Sequence, residues 1–347
     1  MSTDSINRIL EALLYEGYVL YPYRSDALKN RQRWNFGIVH PEGCNERSRI
    51  QTECIALCKD AVLNVDLRFL QLQKRQACKL ARPVRDQREI TPDLLQPVDT
   101  VEAAGTSYET WEEAVERTSP VHALNAKQLS ASAVNAEVTF GPESILEPLP
   151  EQDGTIAAAL SRSTDVIRAS IQVSAAQVAD DLFKFSVSVN NLMRFDKAAS
   201  VQSRDNILMR SLLSAHLVME LAGGRFISLL DPPEEYQAAA ATCGNDGLWP
   251  VLAGEEGTAD CMLASPIILY DYPRVAPESV TPFFDGAEID ELLALRILTL
   301  TDEEKVRMAR ADEFTRRILE RTASLSEEEL LRLHGIVRPA EREDNPR

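Results

Sequence analysis

Histidine is scarce in this chain: His40, His122, His216 and His334 are the four among 347 residues. A nucleophilic site needs a cysteine or serine, a histidine and an orienting acid in one place, and no GxSxG motif is present to supply one. Glycine is sparse too. The glycine-rich loop GNDGLWPVLAGEEG lacks the GKS/T ending of a phosphate cradle, and its Glu255 and Glu256 would repel phosphate. No CxxC occurs, and the six cysteines (44, 54, 58, 78, 243 and 261) follow no disulfide-framework spacing. They are expected to be free, mostly buried thiols of a reducing compartment. Long apolar runs are missing as well: MLASPIILY is far short of the roughly 20 residues that span a bilayer. The N-terminal stretch MSTDSINRILEALLYEG reads as a capped helix with an apolar face of Ile6, Ile9, Leu10, Leu13 and Leu14, not as a signal peptide. A cytoplasmic location is the expectation.

What the chain does have is core-forming residues and acid. It is 44% hydrophobic, enough for a large core, and its length suggests about two domains or one large domain with excursions. The formal charge of -17 disfavours a broad surface for nucleic acid or anionic membrane. The charge is uneven, however. Residues 24–88 hold fourteen Lys/Arg against seven Asp/Glu, leaving 23 against 47 elsewhere. Either this basic part packs against acidic segments of the same chain, or it forms a docking face for an acidic partner.

The hydrophobic periods predict an α+β fold: an antiparallel β-sandwich-like core with a packed helix, plus a small helical C-terminal unit. WNFGIVHP reads as a short strand. From Arg49 to Lys79 polar and apolar residues alternate (Ile50, Thr52, Cys54, Ala56; then Val65, Leu67, Phe69), which predicts two antiparallel strands turning near KDA. Residues 83–132 read as an irregular excursion with a short helix around WEEAV. VNAEVTF, VIRASIQVSA and LFKFSVSVNNL read as strands, the last two forming a hairpin. SRDNILMRSLLSAHLVMELAGG switches to a 3.6-residue period, so a core helix is predicted there, stopped by Gly223-Gly224, with His216 on its inner side. RFISLLDPP and MLASPIILYDYP follow as strands. GAEIDELLALRIL, TDEEKVRMAR, DEFTRRILERTA and SEEELLRLHGIV read as four helices, with Thr301 and Ser326 as N-caps. The expected division is 1–35 (N-terminal helix and basic-aromatic segment), 36–275 (β-rich core) and 276–347 (helical unit).

Three groups of residues are candidates for function. The first is LYPYRSDALKNRQRWNFG, where Tyr21, Tyr23, Arg24, Lys29, Arg31, Arg33 and Trp34 combine planar contact area with polar tips, as interfaces do. The same arginines are equally suited to brace the fold by forking onto carboxylates. The second is YDYPRVAPESVTPFFDGAEIDE. Its Tyr270, Asp271, Tyr272, Glu278 and Asp285 suit an extended, proline-rich contact surface; with Glu288, Asp290 and Glu291, and His40 or His334, the carboxylates also suit acid/base work on a small molecule. The third, His40, Cys44, Cys54 and Cys58, has loosely zinc-like spacing and defines an alternative reading as a metal carrier.

Three stretches carry a resemblance: EGYVLYPYRSDALKNRQRWNFG, SPIILYDYPRVAPESVTPFFDGAEIDELLALRILTLTDEEK and ILERTASLSEEELLRLHGIVR, together about a quarter of the chain. They resemble a family of bacterial proteins associated with nickel-iron hydrogenase gene clusters of actinobacterial type. The family offers no established catalytic residues. The resemblance implies a cytoplasmic, non-enzymatic accessory or scaffold protein for hydrogenase assembly or maturation. It would contact hydrogenase subunits or maturation factors and need no cofactor, no nucleic acid and no membrane span.

Overall fold

The computed structural model describes residues 2–18, 30, 33, 36–195, 204–275, 290–311 and 313–333. Its fold is α+β, built on a large, curled antiparallel sheet with a sandwich-like core and a small C-terminal helical cluster. One strand organises the whole: β1, Arg49–Val84, runs through 36 residues without a glycine and meets its first proline at Pro83. The predicted turn at KDA is a β-bulge inside this strand, with the register to its neighbour shifting between Cys58 and Val62. Buried residues fall at even positions before the bulge (Ile50, Cys54, Ala56, Cys58) and at odd positions after it (Ala61, Leu63, Val65, Leu67, Phe69), all in one cluster. A bulge returns the new parity to the same face, which a straight strand could not do.

The other strands are β2 (Leu95–Val98), β3 (Thr100–Ala103), β4 (Thr106–Glu109), β5 (Trp111–Asn125), β6 (Val134–Phe140), β7 (Glu143–Pro150), β8 (Ile156–Thr164), β9 (Ile167–Ala179), β10 (Leu182–Asn191), β11 (Leu213–Phe226), β12 (Trp249–Ala253) and β13 (Cys261–Ser265). Strands that pair with the same residues of β1 must lie on opposite edges of it. One edge therefore takes β10, β5 and β2 in succession, and the other takes β11 and then β8. β6 and β7 face β9 and β8 as one long ribbon, in unbroken register from Val134↔Val173 to Leu149↔Ala158.

Helices cover the back of the sheet. Helix α1 (Ser2–Leu14) lays Ile6, Ile9 and Leu10 on Val218, Val251 and Leu263, while its end joins a second cluster with Leu70, Leu72, Trp111 and Leu213. Short helices α2 (Ala126–Ala131), α3 (Arg204–Leu208) and α4 (Gln237–Ala240) punctuate the strands. The four C-terminal helices, α5 (Asp290–Leu298), α6 (Asp302–Ala311), α7 (Glu313–Ala323) and α8 (Glu327–Leu333), form as predicted and feed Leu293, Ile297, Met308, Ile318 and Leu333 into that second cluster. Among the described residues no helix is long and apolar enough to cross a membrane.

Three expectations are corrected. The segment predicted as a core helix is helical only over α3, and from Leu213 it is strand β11. Leu213–Met219 are buried on both sides, Leu217 and Met219 facing the sandwich core and Val218 facing α1. A strand buried on both faces loses its alternation, and its apolar run then matches a helical period equally well. The excursion at 83–132 is mainly strand, and WEEAV opens β5, which pairs with β1 from Val62 to Arg75. Its glutamates pair across strands, as in Arg75–Glu113 and Arg68–Glu116, so the local pattern does not show a strand. The strands expected in WNFGIVHP, RFISLLDPP and MLASPIILYDYP shrink to the bridge Val39↔Leu212, to an end at Phe226 and to β13.

Candidate functional site

The strand β12 stands at one end of the sheet, where free backbone groups invite pairing with another chain. The segment after β13 closes that edge. Asp271 accepts a hydrogen bond from the Leu252 amide at 2.8 Å and another from the Ser228 hydroxyl, while the Tyr272 amide donates to the Leu252 carbonyl at 2.6 Å. Tyr272 holds a φ of +54° and packs its ring against the main core. A non-glycine residue keeps this left-handed conformation only where its surroundings over-determine it. Both Asp271 oxygens are thus committed to holding the turn, which leaves this carboxylate unsuited to acid/base work.

Side chains alternate along this pinned segment. Leu269 turns in toward Ile6 and Val251, whereas Ile268 and Tyr270 turn out and are 70% and 86% exposed. Leu230 is also exposed, on the turn whose Ser228 hydroxyl receives the Leu230 and Asp231 amides and bonds Asp271. The stretch of chain that carries them, residues 225–275, holds eight acidic side chains against Arg225 and Arg274, with Arg274 paired to Glu256 at 2.7 Å and Asp246 paired to Arg47 at 2.8 Å. The arrangement is an exposed aromatic and aliphatic pair on a pinned turn, in an acidic stretch of the chain. Tyr270 belongs to the predicted contact set; Ile268 and Leu230 do not, although the alternation in PIILYDY carries a signal for Ile268.

The remaining sequence candidates separate. Tyr21, Tyr23, Arg24, Lys29, Arg31, Trp34, Glu278, Asp285, Glu288 and His334 lie outside the described residues. Arg33 is buried and acts as a brace. Its guanidinium lies 3.9 Å from the Trp111 ring centroid and donates to the Tyr18 and Glu112 carbonyls, both at 3.0 Å. Desolvated guanidinium on an indole face is a strong packing contact, here directed to β5, where the guanidinium also lies 3.6 Å from the Glu112 carboxylate. Arg33 is accordingly withdrawn from the contact surface. Asp290 and Glu291 open helix α5.

The four metal-carrier candidates do not converge. Cys54 and Cys58 point into the sandwich core from β1, whereas His40 and Cys44 line a cavity of about 570 Å³ with Glu46, Phe195, Arg204 and Leu208. Burial pushes the Cys54 thiol far above its ordinary range and the Cys58 thiol up to about 11, so both are protonated thiols in the core. Burial also lowers the pKa of His40. Among the described residues no group of three or more His, Cys, Asp or Glu is placed to hold a metal ion. Comparison of the chain with protein-family models gives no match, and comparison with curated proteins gives none either.

Proposed function

We propose that the protein is a non-enzymatic accessory or scaffold protein for the assembly or maturation of a nickel-iron hydrogenase, acting in the cytoplasm through protein–protein contacts. The observation that supports a contact role is the exposure of Tyr270 and Ile268 on a turn fixed by Asp271 and Tyr272. Tyrosine is enriched among the residues that dominate interface energies, and a side chain held in place before binding loses less entropy when it docks. The acidic surroundings favour a partner with a basic rim and an apolar pocket. The hydrogenase context comes from the three stretches quoted above, one of which contains Tyr270.

The test is affinity capture of the tagged full chain from its native host, grown with and without hydrogen. Hydrogenase subunits or maturation factors should co-purify with the parent protein. The double variant Tyr270→Ala, Ile268→Ser should weaken that capture about 30-fold, the equivalent of roughly 2 kcal/mol at an interface anchor, with its circular dichroism spectrum unchanged. Recovery of the protein alone under both growth conditions overturns the reading.

A further inference from the structure

The loop of residues 40–47 is closed on itself and fastened to the chain that leaves β10. The His40 amide donates to the Arg47 carbonyl at 2.8 Å, the Glu42 amide to the Met193 carbonyl at 2.7 Å and the Phe195 amide back to the Glu42 carbonyl at 2.8 Å. Gly43, at a φ of +93°, lies so close to the Phe195 carbonyl that a side chain there would meet it at 3.2 Å. Loop, strand end and helix α3 thus form a fixed frame around the cavity of about 570 Å³. That volume falls within the roughly 300–1,000 Å³ of small-molecule sites.

The lining divides by chemistry. Phe195, Ile207 and Leu208 give an apolar wall, and the fully buried Leu208 anchors it in the second apolar cluster. Glu46 and Arg204 add one charge of each sign. Arg204 is steadied by a hydrogen bond from its Nη2 to the Arg33 carbonyl at 2.6 Å. The Glu46 carboxylate has no ion-pair or hydrogen-bond partner among the described residues, so the two charges are not joined to each other. Both nonetheless act on His40 in the same lining: burial lowers its pKa, Glu46 works against that shift and Arg204 adds to it. The imidazole is therefore neutral at neutral pH, which leaves the cavity with two separated, opposite charges beside an apolar wall.

We propose that this cavity binds a free α-amino acid with a large apolar side chain, its carboxylate at Arg204, its ammonium at Glu46 and its side chain on Phe195, Ile207 and Leu208. An ion of one sign would meet a like charge as well as an opposite one, and a wholly apolar molecule would cover both charges without pairing them. A zwitterion with an apolar end satisfies all three surfaces at once. Glu46 and Arg204 are exposed, so water screens them and they select the ligand more than they tighten it. A ligand of so few atoms held in this way should have a dissociation constant of about 1 mM. The site uses no residue of the Tyr270 turn and does not depend on a partner docking there.

The probes are L-phenylalanine and L-leucine, followed by saturation-transfer difference NMR on the full chain. Both should bind at about 1 mM, whereas N-acetyl-L-phenylalanine, which lacks the ammonium, and L-phenylalaninamide, which lacks the carboxylate, should each bind at least about tenfold more weakly. Glu46→Gln should weaken L-phenylalanine about tenfold and leave N-acetyl-L-phenylalanine unchanged, a pattern that misfolding cannot produce. Cys44 lines the same cavity and Cys243, also half-buried, does not. L-Phenylalanine at about ten times its dissociation constant should therefore slow modification of Cys44 by N-ethylmaleimide about tenfold and leave the rate at Cys243 unchanged. Four results would each overturn the proposal: no saturation transfer from either amino acid up to about 10 mM, acetylated and amide forms that bind as the free amino acid does, a Glu46→Gln chain indistinguishable from the parent, or Cys44 left unprotected.

Discussion

Strand β1 finds its partners between residues 95 and 226, whereas α6 and α8 are each started by groups three residues apart. In α6 the Thr301 hydroxyl and Glu304 carboxylate cap each other's amides, at 3.3 and 3.0 Å, and Ser326 and Glu329 do the same for α8. The sheet is thus held by contacts distant in sequence and the helices by contacts that start locally. Damage to β1 should spread through every strand that it pairs, while damage to a cap should stay within one helix.

The largest effect belongs to Phe69→Ala. Phe69 is fully buried on β1 beyond the bulge, with its ring 5.5 Å from that of Phe140 across the sandwich. Truncation leaves a cavity between two layers that cannot collapse independently, so a loss of about 3–5 kcal/mol in urea unfolding is expected. Tryptophan fluorescence and far-ultraviolet circular dichroism should shift together. A loss below about 1 kcal/mol would show that the sandwich does not close on this ring.

His216 gives the next effect and links the sheet to pH. It is fully buried on β11 opposite Arg68, and its Nδ1–H donates to the Ser214 carbonyl at 2.6 Å while Nε2 has no partner among the described residues. Burial, with a smaller contribution from the Arg68 cation, lowers its pKa to about 4, below its ordinary value of 6.5. The unfolded chain therefore binds the extra proton first. The stability contributed by keeping this ring neutral is complete above about pH 6.5 and falls as pH drops toward 4, by about 3 kcal/mol in all. Urea midpoints measured from pH 7.5 down should fall more steeply for the parent than for His216→Phe, and parallel curves would remove His216 from the account.

These two residues also mark what could be read from the chain. The alternation around Phe69 is visible because β1 turns a distinct set of residues to each cluster, and the helical tail is visible because caps and periods are local signals. The helix predicted over His216 fails because β11 is covered on both faces, by α1 behind and the sandwich core in front. β5 is obscured because its glutamates are paired with arginines distant in sequence, Arg33 and those of β1 and β8. At the candidate site the exposure of Tyr270 follows from alternation, whereas the pinning of its turn depends on Ser228 and Leu252, about 40 and 20 residues earlier. No local pattern carries that information.

Ser326→Ala tests the other half of the comparison and should be the smallest effect. The Ser326 hydroxyl and amide both bond Glu329, and these bonds hold the Glu329 carboxyl below the ordinary carboxylate range. Losing the hydroxyl should cost about 1 kcal/mol and raise amide exchange across Glu327–Leu333 while leaving β1 and β11 protected. Leu333 nonetheless sits in the same cluster as Leu70 and Leu72 of β1. If exchange in β1 rises as well, opening of α8 is transmitted through that cluster, and the helices and sheet unfold as one cooperative unit despite their different local origins.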